Sequence, residues 1–234
     1  MPGILDEIIK LKTQAKNRRD WRKYDRAVLI IKDAIALAKG DFEKGQLQSQ
    51  MAEQLADCYG LLGGVERRWA LESADVEDRK QHLVESARAY DNAWAFEQGD
   101  YSIVNSYGML NRLISRLLLE PDSLFSNDTR EFGDGLVPLA IREELEIASK
   151  RIQEQSALPR QDDYWAAADL ALVDVLLEKQ DAVSAYASFV EKSPPDYAFK
   201  SVLDVLRPLA TLQWRVAEQL QNAVKYLDQR APRS

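Results

Sequence analysis

The sequence predicts an all-α protein built from antiparallel helix pairs. Apolar residues recur at three-to-four spacing in almost every segment, which is the period of a helix that buries one face. No run of strict apolar–polar alternation bounded by turn residues is present, so the pattern gives no support for strands. Turn formers such as Gly99-Asp100 and Pro121 divide the periodic segments into lengths that suit helical hairpins.

The first half of the chain contains five predicted helices, each justified by its apolar periodicity and by a break at its end. The first begins near Pro2 and is marked by Leu5, Ile8, Ile9 and Leu11. The second begins at Trp21 and ends at Gly40. The other three cover 42–70, 76–97 and 101–119. Pro121 ends the fifth because proline removes a backbone donor and clashes with the preceding turn.

The second half begins with the longest predicted non-helical segment, 121–135, which is rich in turn formers and is expected to be an exposed irregular loop. Further helices are predicted over 136–155, 162–178 and 181–192. A C-terminal helix or helix pair over 196–228, kinked or divided at Pro208, is expected to cap the fold. No low-complexity linker splits the chain, so a single domain over 1–234 is predicted.

Composition excludes several function classes. The net charge of −7 argues against non-specific nucleic-acid binding, which needs a cationic face. The single His82 and single Cys58 cannot build a histidine-based metal site, a catalytic triad or a disulfide. We therefore expect no enzyme activity, no metal and no cofactor. The absence of a signal-peptide pattern and of a long apolar run predicts a cytoplasmic protein without membrane contact.

Two segments resemble tetratricopeptide (TPR) repeats. In "DAVSAYASFVEKSPP", Ala182, Tyr186 and Phe189 have the spacing of the second TPR helix, and Pro194 follows. In "YGLLGG", Tyr59 and Gly63 match the first TPR helix, where a small residue lets the neighbouring helix approach. The resemblance implies an irregular TPR-like solenoid of about four helical hairpins. Cys58 is expected to be buried and inert, and His82 to lie on the surface.

A narrower resemblance is to the TPR-containing, TRAFs-binding central region of apoptosis signal-regulating kinases and its bacterial relatives. It covers roughly 45–215 and rests on "DCYGLLGGVERR", "AYDNAWAFEQGDYSIVNSYGMLN" and "DDYWAAADLALVDVLLEKQDAVSAY" in that order. The residues that carry over are the glycines, Arg67 or Arg68, Tyr101, Asn105, Asp163, Tyr164 and Trp165. Gly64 stands where the family has arginine. The resemblance implies a regulatory protein-interaction module, with nucleotide-derived ligands suggested for bacterial members.

Eight residues are the candidates for a ligand site, because they combine cations, amides and aromatic rings: Arg67, Arg68, Trp69, Tyr101, Asn105, Arg112, Tyr164 and Trp165. Each has a purely structural alternative. The arginines can pair with Glu66 and Glu72 on a solvated helix face while Trp69 packs in the core. Asn105 can join two helices, and Asp162-Asp163 can cap a helix that Tyr164 and Trp165 pack against the core.

The leading functional hypothesis is a non-catalytic protein-interaction or adaptor module, in a bacterial signalling or defence context, with another protein as partner. The alternative is a sensor that binds an anionic nucleotide-derived ligand in the solenoid groove near Arg67 and Asn105. The two differ in one structural respect. An adaptor leaves Arg67 and Arg68 paired with glutamates, whereas a sensor gathers cations and aromatic rings at one place.

Overall fold

The computed structural model describes residues 3–45, 47–98, 108–124, 140–156 and 163–231. Every regular element in these ranges is helical, which confirms the predicted all-α, TPR-like class. The chain divides into two compact units, Met1–Leu119 (unit 1) and Glu120–Ser234 (unit 2). The prediction of one domain over the whole chain stays a prediction.

The described residues of unit 1 form five helices that pack in chain order, each against the next. They are α1 (Ile4–Asp20), α2 (Tyr24–Glu43), α3 (Gln48–Glu72), α4 (Val76–Glu97) and α5 (Gly108–Leu119). Helix α3 also contacts α1 and α5, so alternate helices form a second row, as in a helical repeat. The core between α1, α2, α3 and α4 includes the fully buried Ile8, Ile31, Met51 and Leu55.

Helix α2 runs past Gly40, so the predicted end at that glycine is wrong. The helix continues to Glu43 because Phe42, two residues after Gly40, still packs against the core, where its ring makes an edge-to-face contact with Phe96. The chain turns instead near Gly45, whose positive φ of 74° suits glycine.

Unit 2 begins with a short 3₁₀ helix, Pro121–Leu124, within the predicted loop; 125–135 lie outside the described residues. Five α-helices follow: α6 (Ile141–Ser156), α7 (Asp163–Leu176), α8 (Ala182–Glu191), α9 (Asp196–Ala210) and α10 (Ala217–Asp228). The predicted segment 196–228 is thus a helix pair. Pro208 lies inside the last turn of α9, and α10 packs against both α8 and α9.

The α1–α2 and α7–α8 hairpins close with the same turn. In the first, the Lys23 amide donates to the Arg18 carbonyl at 2.9 Å around Arg22, whose φ is 57°. In the second, the Lys179 amide donates to the Asp174 carbonyl at 2.8 Å around Glu178, whose φ is also 57°. This is the Schellman arrangement, with a left-handed residue just after the helix end.

Two glycines set the distance between the helices of unit 1. A β-carbon added to Gly63 would lie 2.7 Å from the ring of Tyr90 on α4, so the helix-contact role predicted for Gly63 is confirmed. A β-carbon on Gly108, the first residue of α5, would clash with the backbone of Trp94 and with the Tyr90 carbonyl oxygen. Both positions therefore require the smallest residue, and they bring α3 and α5 close to α4 around Tyr90 and Trp94.

Candidate functional site

Arg67 and Arg68 are neighbours in α3 but reach different parts of unit 1. The Arg67 guanidinium donates to the side-chain oxygen of Asn111 on α5 at 2.8 Å and lies over the Tyr90 ring, 5.5 Å from its centroid. The Arg68 guanidinium lies 3.8 Å from the Asp20 carboxylate at the end of α1. The separation follows from helix geometry, since consecutive residues point about 100° apart.

Two further arginines lie beside Asn111 on α5 and share one carboxylate. The Arg112 guanidinium lies 5.5 Å from the Trp94 ring centroid and 3.7 Å from Asp91. One turn later, the Arg116 guanidinium donates to both Asp91 oxygens at 3.0 and 3.1 Å. Both arginine side chains are about nine-tenths buried, with exposed fractions of 11% and 8%.

We call Arg67, Arg112, Arg116, Tyr90 and Trp94 the arginine cluster. Its three cations come from α3 and α5, and its two rings lie one turn apart on α4. Guanidinium groups in a partly buried setting bind carboxylates and phosphates through paired, charge-assisted hydrogen bonds. Within the described part of the chain, the hydrogen-bond partner of Arg67 is the neutral Asn111 amide. The arrangement therefore has the chemistry of an anion site.

Glu66 and Glu72, the predicted alternative partners of Arg67 and Arg68, each contact another residue in the described part of the chain. Glu66 is 5% exposed and contacts Nδ1 of His82 at 2.6 Å, and its burial raises the pKa of its carboxyl group. Glu72 lies 3.5 Å from Arg22, across the end of unit 1. The two glutamates of α3 therefore contact residues of other segments, because successive turns of α3 face different neighbours.

His82 is not the surface residue that the sequence predicts. Its side chain is 16% exposed and stacks on Trp69 with ring centroids 3.9 Å apart. Trp69 also stacks on Tyr24, with centroids 6.2 Å apart, and packs against the core. The structure therefore places Trp69 in a partly buried aromatic row with Tyr24 and His82, away from the arginine cluster. Cys58 is fully buried, as expected, and burial raises its pKa to about 11.

Four predicted residues remain. Tyr101 and Asn105 are outside the described residues. Tyr164 and Trp165 lie in unit 2, where their rings contact each other with centroids 5.2 Å apart, and the Tyr164 hydroxyl lies 2.8 Å from the hydroxyl of Tyr197 on α9. Of the eight predicted residues, the structure thus brings Arg67 and Arg112 into one cluster.

The predicted set of site residues missed Tyr90, Asp91, Trp94 and Arg116. Two signals in the sequence point to them. Arg112 and Arg116 are four residues apart in the otherwise apolar "GMLNRLISRLLL", so an apolar helix face carries two buried cations. Tyr90 and Trp94 are also four apart, on the face of α4 that Gly63 and Gly108 approach.

Comparison with known proteins gives one match. The Tetratricopeptide Repeats-Sensor family (TPR-S) matches residues 5–110. That range holds α1 to α4 and the start of α5, including Arg67, Tyr90 and Trp94. Residues 5–110 are a TPR-like region. No curated protein and no solved structure matches the chain.

The described residues also bear on two other kinds of site. No three histidine, cysteine, aspartate or glutamate side chains in these ranges are grouped so that they could hold a metal ion. None of the helices in the described ranges is both long enough and apolar enough to cross a membrane.

Proposed function

We propose that this chain is a non-catalytic, repeat-based interaction module that binds a small anionic ligand at the arginine cluster of unit 1. The observation that carries the proposal is the position of Arg67. Its guanidinium donates to Asn111 on α5 and lies over the Tyr90 ring on α4, and the neighbour of Asn111, Arg112, lies over the Trp94 ring one turn further along α4. The match of this region to a sensor family supports the same function.

The ligand class follows from the side chains. Guanidinium groups favour phosphate or carboxylate, and the partly exposed Trp94 offers aromatic surface beside them. An anionic nucleotide satisfies both, which agrees with the resemblance of the chain to the bacterial relatives of the kinase regulatory region. We propose no catalytic step, since the cluster contains no nucleophile paired with a base.

A second candidate function is that of an adaptor for another protein in a bacterial signalling or defence pathway, acting in the cytoplasm. The repeats favour it because helical hairpins generally present extended binding surfaces. The two functions are compatible, since a ligand that binds the folded state at α3–α5 can alter the surface that a partner meets.

Thermal unfolding with a panel of nucleotides tests the ligand site. Mono-, di- and triphosphates and dinucleotides at millimolar concentration should include at least one that raises the melting temperature, by mass action on the folded state. Arg67→Ala should abolish the shift. Arg68→Ala is the matched control, because it removes the same charge one residue away, at the Asp20 contact, and should leave the shift intact.

Two results would contradict the proposal. One is the absence of a shift with every member of the panel. The other is an equal loss of the shift in Arg67→Ala and Arg68→Ala, which would show a general charge effect. The adaptor function is tested separately, by capture of partner proteins from the host on wild type and on Arg67→Ala.

A further inference from the structure

Two turns lie side by side at one end of unit 1. The α1–α2 turn follows Asp20, and the α3–α4 turn follows Glu72. Arg22 of the first lies 3.5 Å from Glu72 beside the second. The rings of Tyr24 and Trp69, which stack just inside these turns, hold the two helix ends together.

The two turns carry opposite charge. Residues 16–26 contain six basic and two acidic side chains, a net charge of 6 − 2 = +4; we call this segment the basic turn. Residues 71–78 contain four acidic and no basic side chains, a net charge of −4; we call this segment the acidic turn. Arg79 and Lys80 follow it, and the Arg79 guanidinium folds back onto the Ser73 carbonyl at 2.9 Å.

Each turn also exposes a large apolar side chain. Trp21 in the basic turn is 63% exposed, with the Arg18 guanidinium 5.2 Å and the Lys23 ammonium 5.9 Å from its ring centroid. Val76 in the acidic turn is 70% exposed. Leu71, next to Glu72, is 37% exposed. Exposed tryptophan beside arginine is a composition typical of protein interfaces.

We propose that a second copy of this chain docks on this end of unit 1. A twofold axis in the interface plane, passing between the two turns, sets the basic turn of each copy against the acidic turn of the other. Such an interface is self-complementary, and it needs both charges side by side on one surface, as they are here. A partner of a single charge sign would match only half of it.

Contacts within one chain leave most of this charge available. The Arg22–Glu72 pair is exposed, with side-chain fractions of 77% and 42%, so water screens it and both groups can form new pairs. In the dimer, Trp21 approaches the Val76 side of its partner and is removed from water together with it. Charge then sets the orientation of the two copies, and the apolar contact adds affinity.

Analytical ultracentrifugation of the full chain tests this dimer. We expect a species of twice the 26.6 kDa chain mass at about 50 mM NaCl and dissociation at about 500 mM, where the Debye length falls well below 10 Å. Trp21→Ala should raise the dimer Kd at least about tenfold. Ile147→Ala, which removes a 46% exposed side chain in unit 2, is the control and should not change it.

A charge swap makes the test specific. A variant with Arg22→Glu and Lys23→Glu brings the net charge of the basic turn to zero, and a variant with Glu77→Lys and Asp78→Lys brings that of the acidic turn to zero. Each alone should be monomeric with an unchanged circular dichroism spectrum, because its own two turns no longer have opposite net charge. An equimolar mixture should form a 1:1 heterodimer, because the intact acidic turn of one variant faces the intact basic turn of the other and the introduced glutamates face the introduced lysines.

Three outcomes would overturn the proposal. They are a monomeric wild type at low salt and about 200 µM protein, dimers that persist in both double variants, and a mixture of those variants that stays monomeric. If the monomeric wild type bound a polyglutamate peptide at the basic turn, the occupant would be an acidic partner and not a second copy.

Discussion

The two units of the chain share a hairpin turn but bury their charged groups in different ways. In unit 1, buried charges meet partners across helices, as Glu66 meets His82 and Arg116 meets Asp91. In unit 2, Asp169 on α7 lies near the hydroxyl of the fully buried Tyr186, and burial raises the pKa of its carboxyl group to about 7. Cross-helix pairing gives unit 1 a polar site, whereas in unit 2 the buried acid weakens the fold at high pH.

The two units also differ in the residues at their helix contacts. Unit 1 uses glycines at its closest approaches, Gly63 and Gly108 against α4, and this leaves Tyr90 and Trp94 between the helices. The described helices of unit 2 contain no glycine, and the α7–α8 hairpin has buried alanines such as Ala168, Ala171 and Ala185. A close approach through glycine and a charged cluster therefore occur together in the unit that matches the sensor family.

The largest expected effect tests the buried acid of unit 2. The pKa of Asp169 is raised from 3.8 to about 7, so the folded state holds its proton more tightly than the unfolded chain. Its stabilising contribution is full below about pH 4 and is lost as the pH rises through about 7. Asp169→Asn should therefore stabilise the protein at pH 8 by roughly 3 kcal/mol, with little effect near pH 4, as measured by urea unfolding.

Asp181, the N-cap of α8, provides a comparison, because its pKa is shifted in the opposite direction from that of Asp169. Hydrogen bonds from Ser184 and Val183 lower the pKa of its carboxyl group, so its contribution is present at neutral pH and lost as the pH falls through that lowered pKa. Asp181→Ala should destabilise most at neutral pH. A difference between Asp169→Asn and wild type that did not change with pH would show that Asp169 is solvated like an ordinary carboxylate.

The next effect tests the close helix contact of unit 1. Gly63→Ala should destabilise by roughly 2 kcal/mol, because the new methyl group would lie 2.7 Å from the rigid Tyr90 ring and the α3–α4 contact would have to open. Gly64→Ala is the matched control, since its methyl group would lie 3.4 Å from the Tyr90 hydroxyl at the end of the side chain. Equal unfolding midpoints for the two variants would show that α3 and α4 do not need glycine at position 63 in order to pack closely.

The sequence predicts local features of this fold well and contacts between distant elements poorly. The spacing in "YGLLGG" was enough to predict the role of Gly63, because small residues at a TPR helix contact depend on a local pattern. The pairing of Arg116 with Asp91 depends on which face of α5 meets α4, and this is decided by Gly108 and tertiary packing. The same limit explains Trp69, whose neighbours Tyr24 and His82 come from two other helices.

The smallest effect tests whether the turns of the two units are energetically equivalent. Arg22 and Glu178 both adopt a φ of 57°, a conformation that is unfavourable by about 1 kcal/mol or more for a residue with a β-carbon. Glycine relieves this strain but adds roughly 0.4–1 kcal/mol of unfolded-state entropy. Arg22→Gly and Glu178→Gly should therefore each stabilise the protein by only about 0.5 kcal/mol.

Salt concentration decides how cleanly this comparison can be measured. Each residue also forms an exposed ion pair, Arg22 with Glu72 at 3.5 Å and Glu178 with Arg215 at 2.8 Å. Urea unfolding should be measured in about 0.5 M NaCl, because the salt screens both ion pairs and dissociates the proposed dimer. The remaining difference in unfolding free energy then reports the backbone strain. Equal gains would show that the shared turn has the same energetics in both units. Gains of opposite sign would mean that the left-handed residue is held by different surroundings in each unit, and that the similarity between the two hairpins is geometric only.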